Sequence, residues 1–97
     1  MSELVFDWDD QKARVNERKH GVSFEEAQTV FYDENARLRY DTAHSLDEER
    51  YILLGVSNML RLLVVCHVYR EEKEVIRIIS ARKATKQEGK QYRGFYL

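Results

Sequence analysis

The chain has 97 residues, of which 43% are hydrophobic and 34% charged, and its formal net charge is −1. This length suits one domain with one modest core, residues 1–97, and this composition excludes an intrinsically disordered chain. The longest apolar run, Leu62 to Cys66, is far shorter than the roughly 20 residues that span a bilayer, so we expect no membrane segment.

The N-terminal third predicts a short edge strand and two helices. Leu4-Val5-Phe6 is the candidate strand. Asp9 or Asp10 can cap a helix that runs to about His20, and Gly21 follows it as a C-terminal cap. Ser23 and Glu26 have the spacing of a capping box, which predicts a second helix from about Phe24 to Phe31.

From Ala36 onward the apolar residues alternate, which predicts strands over 36–40, 50–57, 60–70 and 74–82. The polar links at 57–59 and 70–73 are short, so neighbouring strands should be antiparallel. Residues 83–93 predict a basic C-terminal helix. The predicted fold class is therefore α+β, with two N-terminal helices packed on an antiparallel sheet of three to four strands and a C-terminal helix.

Charge is distributed unevenly along the chain. Residues 1–50 hold 7 Lys and Arg against 13 Asp and Glu, whereas residues 51–97 hold 9 against 4. The C-terminal half could therefore present a basic face, unless folding mixes the charges of the two halves. The single Cys66 and the lack of a basic start followed by an apolar segment favour a cytoplasmic setting.

Arg61, His67 and Arg77 interrupt the apolar pattern of the predicted sheet. They either belong to an ordinary solvated face or line one functional face together with Arg50 and Arg82. Two hairpin registers are open, one with His67 opposite Arg77 and one with Arg61 opposite Arg82.

Arg77 and Arg82 are five residues apart, so regular alternation would point them to opposite faces. A bulge or turn near Ser80 could bring both to one phosphate.

Several site types have no support in the sequence. No zinc-like spacing, nucleophile elbow or glycine-rich phosphate loop is present, so we expect neither a metal nor a cofactor. A basic face that contains a histidine beside a basic helix instead suits a phosphodiester. On this hypothesis Arg61, Arg77 and Arg82 contact phosphate, Arg50 supports them, and His67 is a general acid or base.

The motifs "KHGVSF" and "RIISARKA" stand beside an opening signature across residues 6–27. In these features the chain resembles the BrnT family, ribonuclease toxins of bacterial type II toxin–antitoxin systems. The matching positions are Phe6, Trp8, Asp9, Lys12, Asn16, Lys19, His20, Gly21, Val22, Ser23, Phe24 and Ala27.

The resemblance implies a fold like that of RelE-type toxins and a metal-independent RNA endonuclease that inhibits translation. It also implies a BrnA-type antitoxin with a ribbon-helix-helix segment, through which operator DNA would be bound indirectly. The candidate RNA-binding residues are Lys19, Lys83, Lys86, Lys90 and Arg93.

Two alternatives stay open. The basic face could belong to a non-catalytic module that docks a partner or DNA. Leu60 and Gly89, which depart from the family pattern, allow a toxin that has lost activity.

Overall fold

The computed structural model describes residues 3–72 and 74–94, in which three helices pack with a five-stranded mixed sheet. The strands are β1 (Val5–Asp7), β2 (Arg37–Tyr40), β3 (Tyr51–Val56), β4 (Leu62–Arg70) and β5 (Val75–Lys83). The helices are α1 (Asp10–His20), α2 (Phe24–Thr29) and α3 (Lys86–Arg93), with short 3-10 turns at Val30–Tyr32 and Thr42–His44. The predicted α+β class is confirmed. Within the described residues no helix is long and apolar enough to cross a membrane.

The predicted starts of the first two helices and the end of the first are confirmed by their caps, whereas the second helix ends at Thr29, before the predicted Phe31. Asp9 accepts a hydrogen bond from the backbone N–H of Lys12 at 3.0 Å, and Gly21 ends α1 with a φ of 70°, which glycine adopts without strain. Ser23 Oγ accepts from the backbone N–H of Glu26 at 3.0 Å. The Glu26 carboxylate does not complete a capping box, because its oxygens bind side chains from the sheet.

The sheet has the strand order β1-β5-β4-β3-β2, which is more strands than the three to four predicted. The additional strand is β1, which pairs in parallel with β5 through Val5–Asp7. The other three strand pairs are antiparallel, and for β3–β4 and β4–β5 this is what the short links predict. Lys73, in the predicted turn between β4 and β5, lies outside the described residues.

The register of the last hairpin differs from both predicted registers. Arg77 lies opposite Val68, and Arg82 lies opposite Val64. The difference begins at the turn, where Arg70 is paired with Val75. A β-bulge in β5 then adds one residue more: the consecutive residues Cys66 and His67 of β4 lie opposite Ser80 and Ile78, so Ile79 is an extra residue on β5.

One face of the sheet carries the core and is covered by α2 and the turn that follows it. The residues of this core cluster are Val22, Phe24, Ala27, Val30, Leu53, Leu63, Val65, Ile78 and Ala81. They bury apolar area from both layers, and burial of apolar area is the main driving force for folding.

Asn16 of α1 fixes β5 just after the bulge. Its buried amide donates to the backbone carbonyls of Val22 at 3.0 Å and Ala81 at 2.9 Å, and it accepts from the Ala81 N–H at 3.1 Å. The parallel partner β1 pairs with β5 only as far as Arg77. The side chain of Asn16 thus supplies the hydrogen bonds that a neighbouring strand would otherwise make with Ala81.

Candidate functional site

The bulge at Ile79 places Arg77 and Arg82 on the same face of the sheet. Their partners Val68 and Val64 are four residues apart on β4, and such residues point to the same side. We call this side, opposite the core cluster, the outer face. Along the strand the two arginines are separated by about 13 Å, four times the rise of a strand residue.

A row of paired residues crosses the outer face from β2 to β5. Arg39 lies opposite Ile52, Ile52 opposite Cys66, and Cys66 opposite Ser80. Burial raises the pKa of the Cys66 thiol, so this residue stays neutral. The middle of the row is therefore apolar and uncharged.

A cleft of about 440 Å³ opens over this row. Its lining combines an apolar floor with basic side chains around it. The lining residues are Arg39, Asp41, Thr42, Ala43, His44, Arg50, Ile52, Val64, Cys66, Ser80 and Arg82. Guanidinium groups arranged around a concave surface attract polyanions and bind phosphate oxygens through their paired N–H groups.

Arg82 is held in position by α3. Its Nη1 and Nη2 atoms donate to the two carboxylate oxygens of Glu88, both at 2.8 Å. These bonds lower the pKa of Glu88 to about 2, and the backbone N–H of Thr85 also donates to the carboxylate at 2.9 Å. The capping box of α3, made by Thr85 and Glu88, thereby connects the helix start to a cleft residue.

The other two outer-face arginines proposed from the sequence also have carboxylate neighbours. Arg77 forms an ion pair with Asp7, its partner in the parallel β1–β5 register. Arg50 lies 3.9 Å from Glu48, which binds Arg70 at 3.1 Å. Each guanidinium has more donors than one carboxylate occupies, so phosphate can still be contacted.

His44 and Asp41 form a pair at the edge of the cleft. His44 Nδ1 lies 3.0 Å from Asp41 Oδ2, and their side chains are 69% and 8% exposed. The loop that carries them is tied back to β3: Asp41 N–H donates to the Arg50 carbonyl at 2.8 Å, and Ser45 Oγ accepts from the Arg50 N–H at 3.0 Å.

Arg61 lies apart from this cleft and forms an ion pair with the buried Glu26. Arg61 Nε donates to Glu26 Oε2 at 2.9 Å, and Nη2 donates to the Gly21 carbonyl at 3.1 Å. Ser57 Oγ donates to the same Glu26 oxygen at 2.6 Å. The hydrogen bond from Arg61 lowers the pKa of Glu26, which is thus a carboxylate that connects α2 to the β3–β4 turn.

His67 is fully buried on the core side of the sheet, where it lies opposite Ile78. Its ring packs against Phe31 at 4.8 Å between centroids, and its Nε2 lies 3.1 Å from the Tyr69 hydroxyl. Burial lowers the pKa of His67 to about 4, so the imidazole is neutral near pH 7. The structure therefore does not bring His67 together with Arg77 and Arg82.

The candidate RNA-binding residues lie on two further surfaces. Lys19 lines a second cleft, of about 470 Å³, between α1 and β5; this cleft shares Ser80 with the first. Lys86, Lys90 and Arg93 line one depression on α3. Lys83 ends β5 opposite Leu63, on neither surface.

Sequence reasoning missed His44, Asp41 and Arg39. The spacing D-x-x-H at positions 41–44 was an available signal, because residues three apart face each other in a helical turn. The same reasoning overlooked that His67 shares its strand parity with Leu63 and Val65, both fully buried. Among the described residues, no group of three or more His, Cys, Asp and Glu side chains could hold a metal ion.

The chain is similar to known proteins in both sequence and fold. A family model described as "Ribonuclease toxin, BrnT, of type II toxin-antitoxin system" matches residues 8–88. The crystal structure of the ribonuclease toxin BrnT from Brucella abortus matches with a TM-score of 0.67 and 23% identity, covering 87% of this chain and 100% of that chain. At this identity the structural likeness shows the fold alone. No curated protein matches the chain at a significant level.

Proposed function

This chain belongs to the BrnT family of ribonuclease toxins of type II toxin–antitoxin systems, and from that premise we propose that it cuts RNA, without a metal ion, in the outer-face cleft. The observation that carries the proposal is the set of three arginines, Arg39, Arg50 and Arg82, around one concave apolar floor. Three other clefts of the described residues, beside Lys19, Leu38 and Lys86, have fewer guanidinium groups in their linings.

The proposed reaction is attack of the ribose 2′-hydroxyl on the adjacent phosphorus. The negative charge that builds up on the phosphoryl oxygens needs positive donors held in place beforehand. Arg50 and Arg82 supply them, because guanidinium groups stay charged; Arg82 is held by the Glu88 carboxylate, and Arg50 lies 3.9 Å from Glu48. Arg77, about 13 Å further along β5, would contact a different phosphate of the same strand.

Two of the residues assigned from the sequence have structural roles on this proposal. Arg61 neutralises buried Glu26, and His67 fills the aromatic end of the core. Lys19 on the neighbouring cleft, and Lys83, Lys86, Lys90 and Arg93 near and on α3, would attract the RNA backbone over a longer range.

A type II toxin implies an antitoxin partner. We propose a BrnA-type antitoxin whose ribbon-helix-helix segment binds operator DNA, so that the toxin meets DNA only indirectly. We further propose that the fold is related to RelE-type toxins, that residues 1–97 form one toxin domain, and that the protein acts in the cytoplasm. The antitoxin and the relation to RelE-type toxins rest on the family, whereas the single domain rests on the chain length and the cytoplasmic setting on the cysteine usage.

The experiment uses the purified chain freed of antitoxin, a labelled oligoribonucleotide and excess EDTA. Cleavage that leaves 2′,3′-cyclic phosphate ends is expected, and a substrate with 2′-deoxy sugars should stay intact. The Arg50→Ala, Arg82→Ala double variant should lose most activity, whereas Arg14→Ala, which removes an exposed arginine of α1, should not. A folded double variant that cuts at the wild-type rate refutes the cleft as the active site.

The rival function is a docking module that binds without cutting. The ion pairs of Arg77 and Arg82 with carboxylates favour it, since each already satisfies part of the guanidinium. The two functions separate in one comparison: a docking module binds the oligonucleotide or the antitoxin, leaves RNA intact, and does not arrest growth when expressed alone.

A further inference from the structure

The outer-face cleft contains one pair of side chains with the geometry of a proton-transfer pair, His44 and Asp41. Their contact joins His44 Nδ1 and Asp41 Oδ2 at 3.0 Å. An imidazole that donates its Nδ1 proton to a carboxylate keeps its lone pair on Nε2, ready to accept a proton. Because His44 is 69% exposed and Asp41 only 8%, the carboxylate is the fixed partner and the imidazole faces solvent.

The backbone of this loop is held firmly enough to position the pair. Asp41 continues the β2–β3 ladder through its N–H bond to Arg50, and the Ser45 hydroxyl donates to the Asp41 carbonyl at 2.5 Å. His44 N–H donates to the same Asp41 carbonyl at 3.4 Å. The loop that carries His44 is thus bound to the backbone of Arg50, at the start of β3.

We propose that His44 is the general base of RNA cleavage in this cleft and that Asp41 is its positioning residue. This inference rests on the proposed function. In the reaction, His44 Nε2 takes the proton of the 2′-hydroxyl, and the O2′–P bond forms as the P–O5′ bond breaks. The leaving O5′ takes a proton from a water molecule of the open cleft. The products are a 2′,3′-cyclic phosphate and a 5′-hydroxyl, and the imidazolium returns its proton to solvent.

The charged and titratable groups around the imidazole come from every element that borders the cleft. They are Arg39 of β2, Asp41, Arg50 with its neighbour Glu48, Cys66 of β4, and Arg82 with its partner Glu88. Since several of these can shift a pH profile, the diagnostic quantity is the difference between wild type and a His44 variant.

The test measures initial cleavage rates of an oligoribonucleotide by the antitoxin-free chain in EDTA, from pH 5 to 9. His44→Ala should lower the rate about 100-fold, the range of general acid–base catalysis. Added imidazole should restore part of that rate, because the exposed position leaves room for it. Asp41→Asn should slow the reaction and change its pH profile. Leu46→Ala, in the same loop but with a side chain 98% exposed, is the matched control and should behave as wild type.

The outcomes divide clearly. Loss of activity in His44→Ala with recovery by imidazole supports the proposal. It is overturned if folded His44→Ala cuts within threefold of wild type, or if His44→Asn, which still offers an N–H to Asp41, is fully active. The proposal is also overturned if imidazole restores no activity to His44→Ala, since the role of His44 is then structural. A wild-type chain that leaves RNA intact overturns the proposed function itself, and the role of His44 with it.

Discussion

Replacement of Asn16 by alanine should remove a large part of the stability of the fold. The amide makes three buried hydrogen bonds to the backbone, two with Ala81 and one with Val22. The variant leaves those backbone groups without partners, at about 1 kcal/mol or more each, so we expect a loss of roughly 3 kcal/mol in the free energy of unfolding. For a domain of this size that lowers the melting temperature by roughly 12–24 °C.

Urea unfolding followed by circular dichroism measures this loss, with two companion variants. Asn35→Ala, an exposed asparagine, should change the free energy of unfolding by less than about 0.5 kcal/mol. Asn16→Asp preserves the shape of the side chain but places a carboxylate beside two carbonyl oxygens, so it should be at least as damaging as alanine. If Asn16→Ala stays within 1 kcal/mol of wild type, or if Asn16→Asp is mild, the role argued for this amide is incorrect.

Three further predictions concern strain and pH. Leu60 has a φ of 59°, which glycine adopts without strain. Leu60→Gly should therefore raise the free energy of unfolding, measured by urea titration, by up to about 1 kcal/mol, whereas Met59→Gly should lower it. The pKa of Glu88 is lowered from 4.5 to about 2, so its contribution to stability is complete above pH 4.5 and is lost as the pH falls toward 2. In Glu88→Gln the free energy of unfolding should depend less on pH across this range, as an acid unfolding curve would show. Burial lowers the pKa of His67 from 6.5 to about 4, so between these pH values the unfolded chain binds a proton that the folded chain does not. The free energy of unfolding should therefore fall by up to about 3 kcal/mol as the pH is lowered from 6.5 to 4. Thermal melts of His67→Phe should lack this loss.

The helix boundaries could be predicted because their determinants are local. Asp9, Gly21 and Ser23 act within four residues of the backbone groups they cap. The sequence predicted β1 as a candidate edge strand, but it could not predict the parallel pairing of β1 with β5, because the two strands lie about 70 residues apart in the sequence.

The site could be predicted in composition but not in geometry. The sequence predicts a bulge or turn near Ser80, and the bulge at Ile79 confirms it. The pairing on either side of the bulge could not be predicted, because no glycine or other local marker fixes it. From the sequence alone, His67 and His44 are equally suitable as general acid–base residues, because both are histidines. The difference between them is the strand parity that His67 shares with Leu63 and Val65, which places it toward the core, where the rings of Phe31, Tyr51 and Tyr69 surround it.

The single extra residue in β5 has a consequence for how this protein can change over time. Odd- and even-numbered residues exchange faces at Ile79, because that residue is extra. Deletion of Ile79 alone would give a regular ladder in which Arg77 still lies opposite Val68 and Arg82 opposite Val64, so both arginines would keep their face. Deletion of a second residue between them would turn Arg82 inward and Ala81 outward, which places a charge where a methyl group is buried in the core. This stretch of β5 can therefore lose its bulged residue, whereas the loss of one residue more reverses every side chain that follows in the strand.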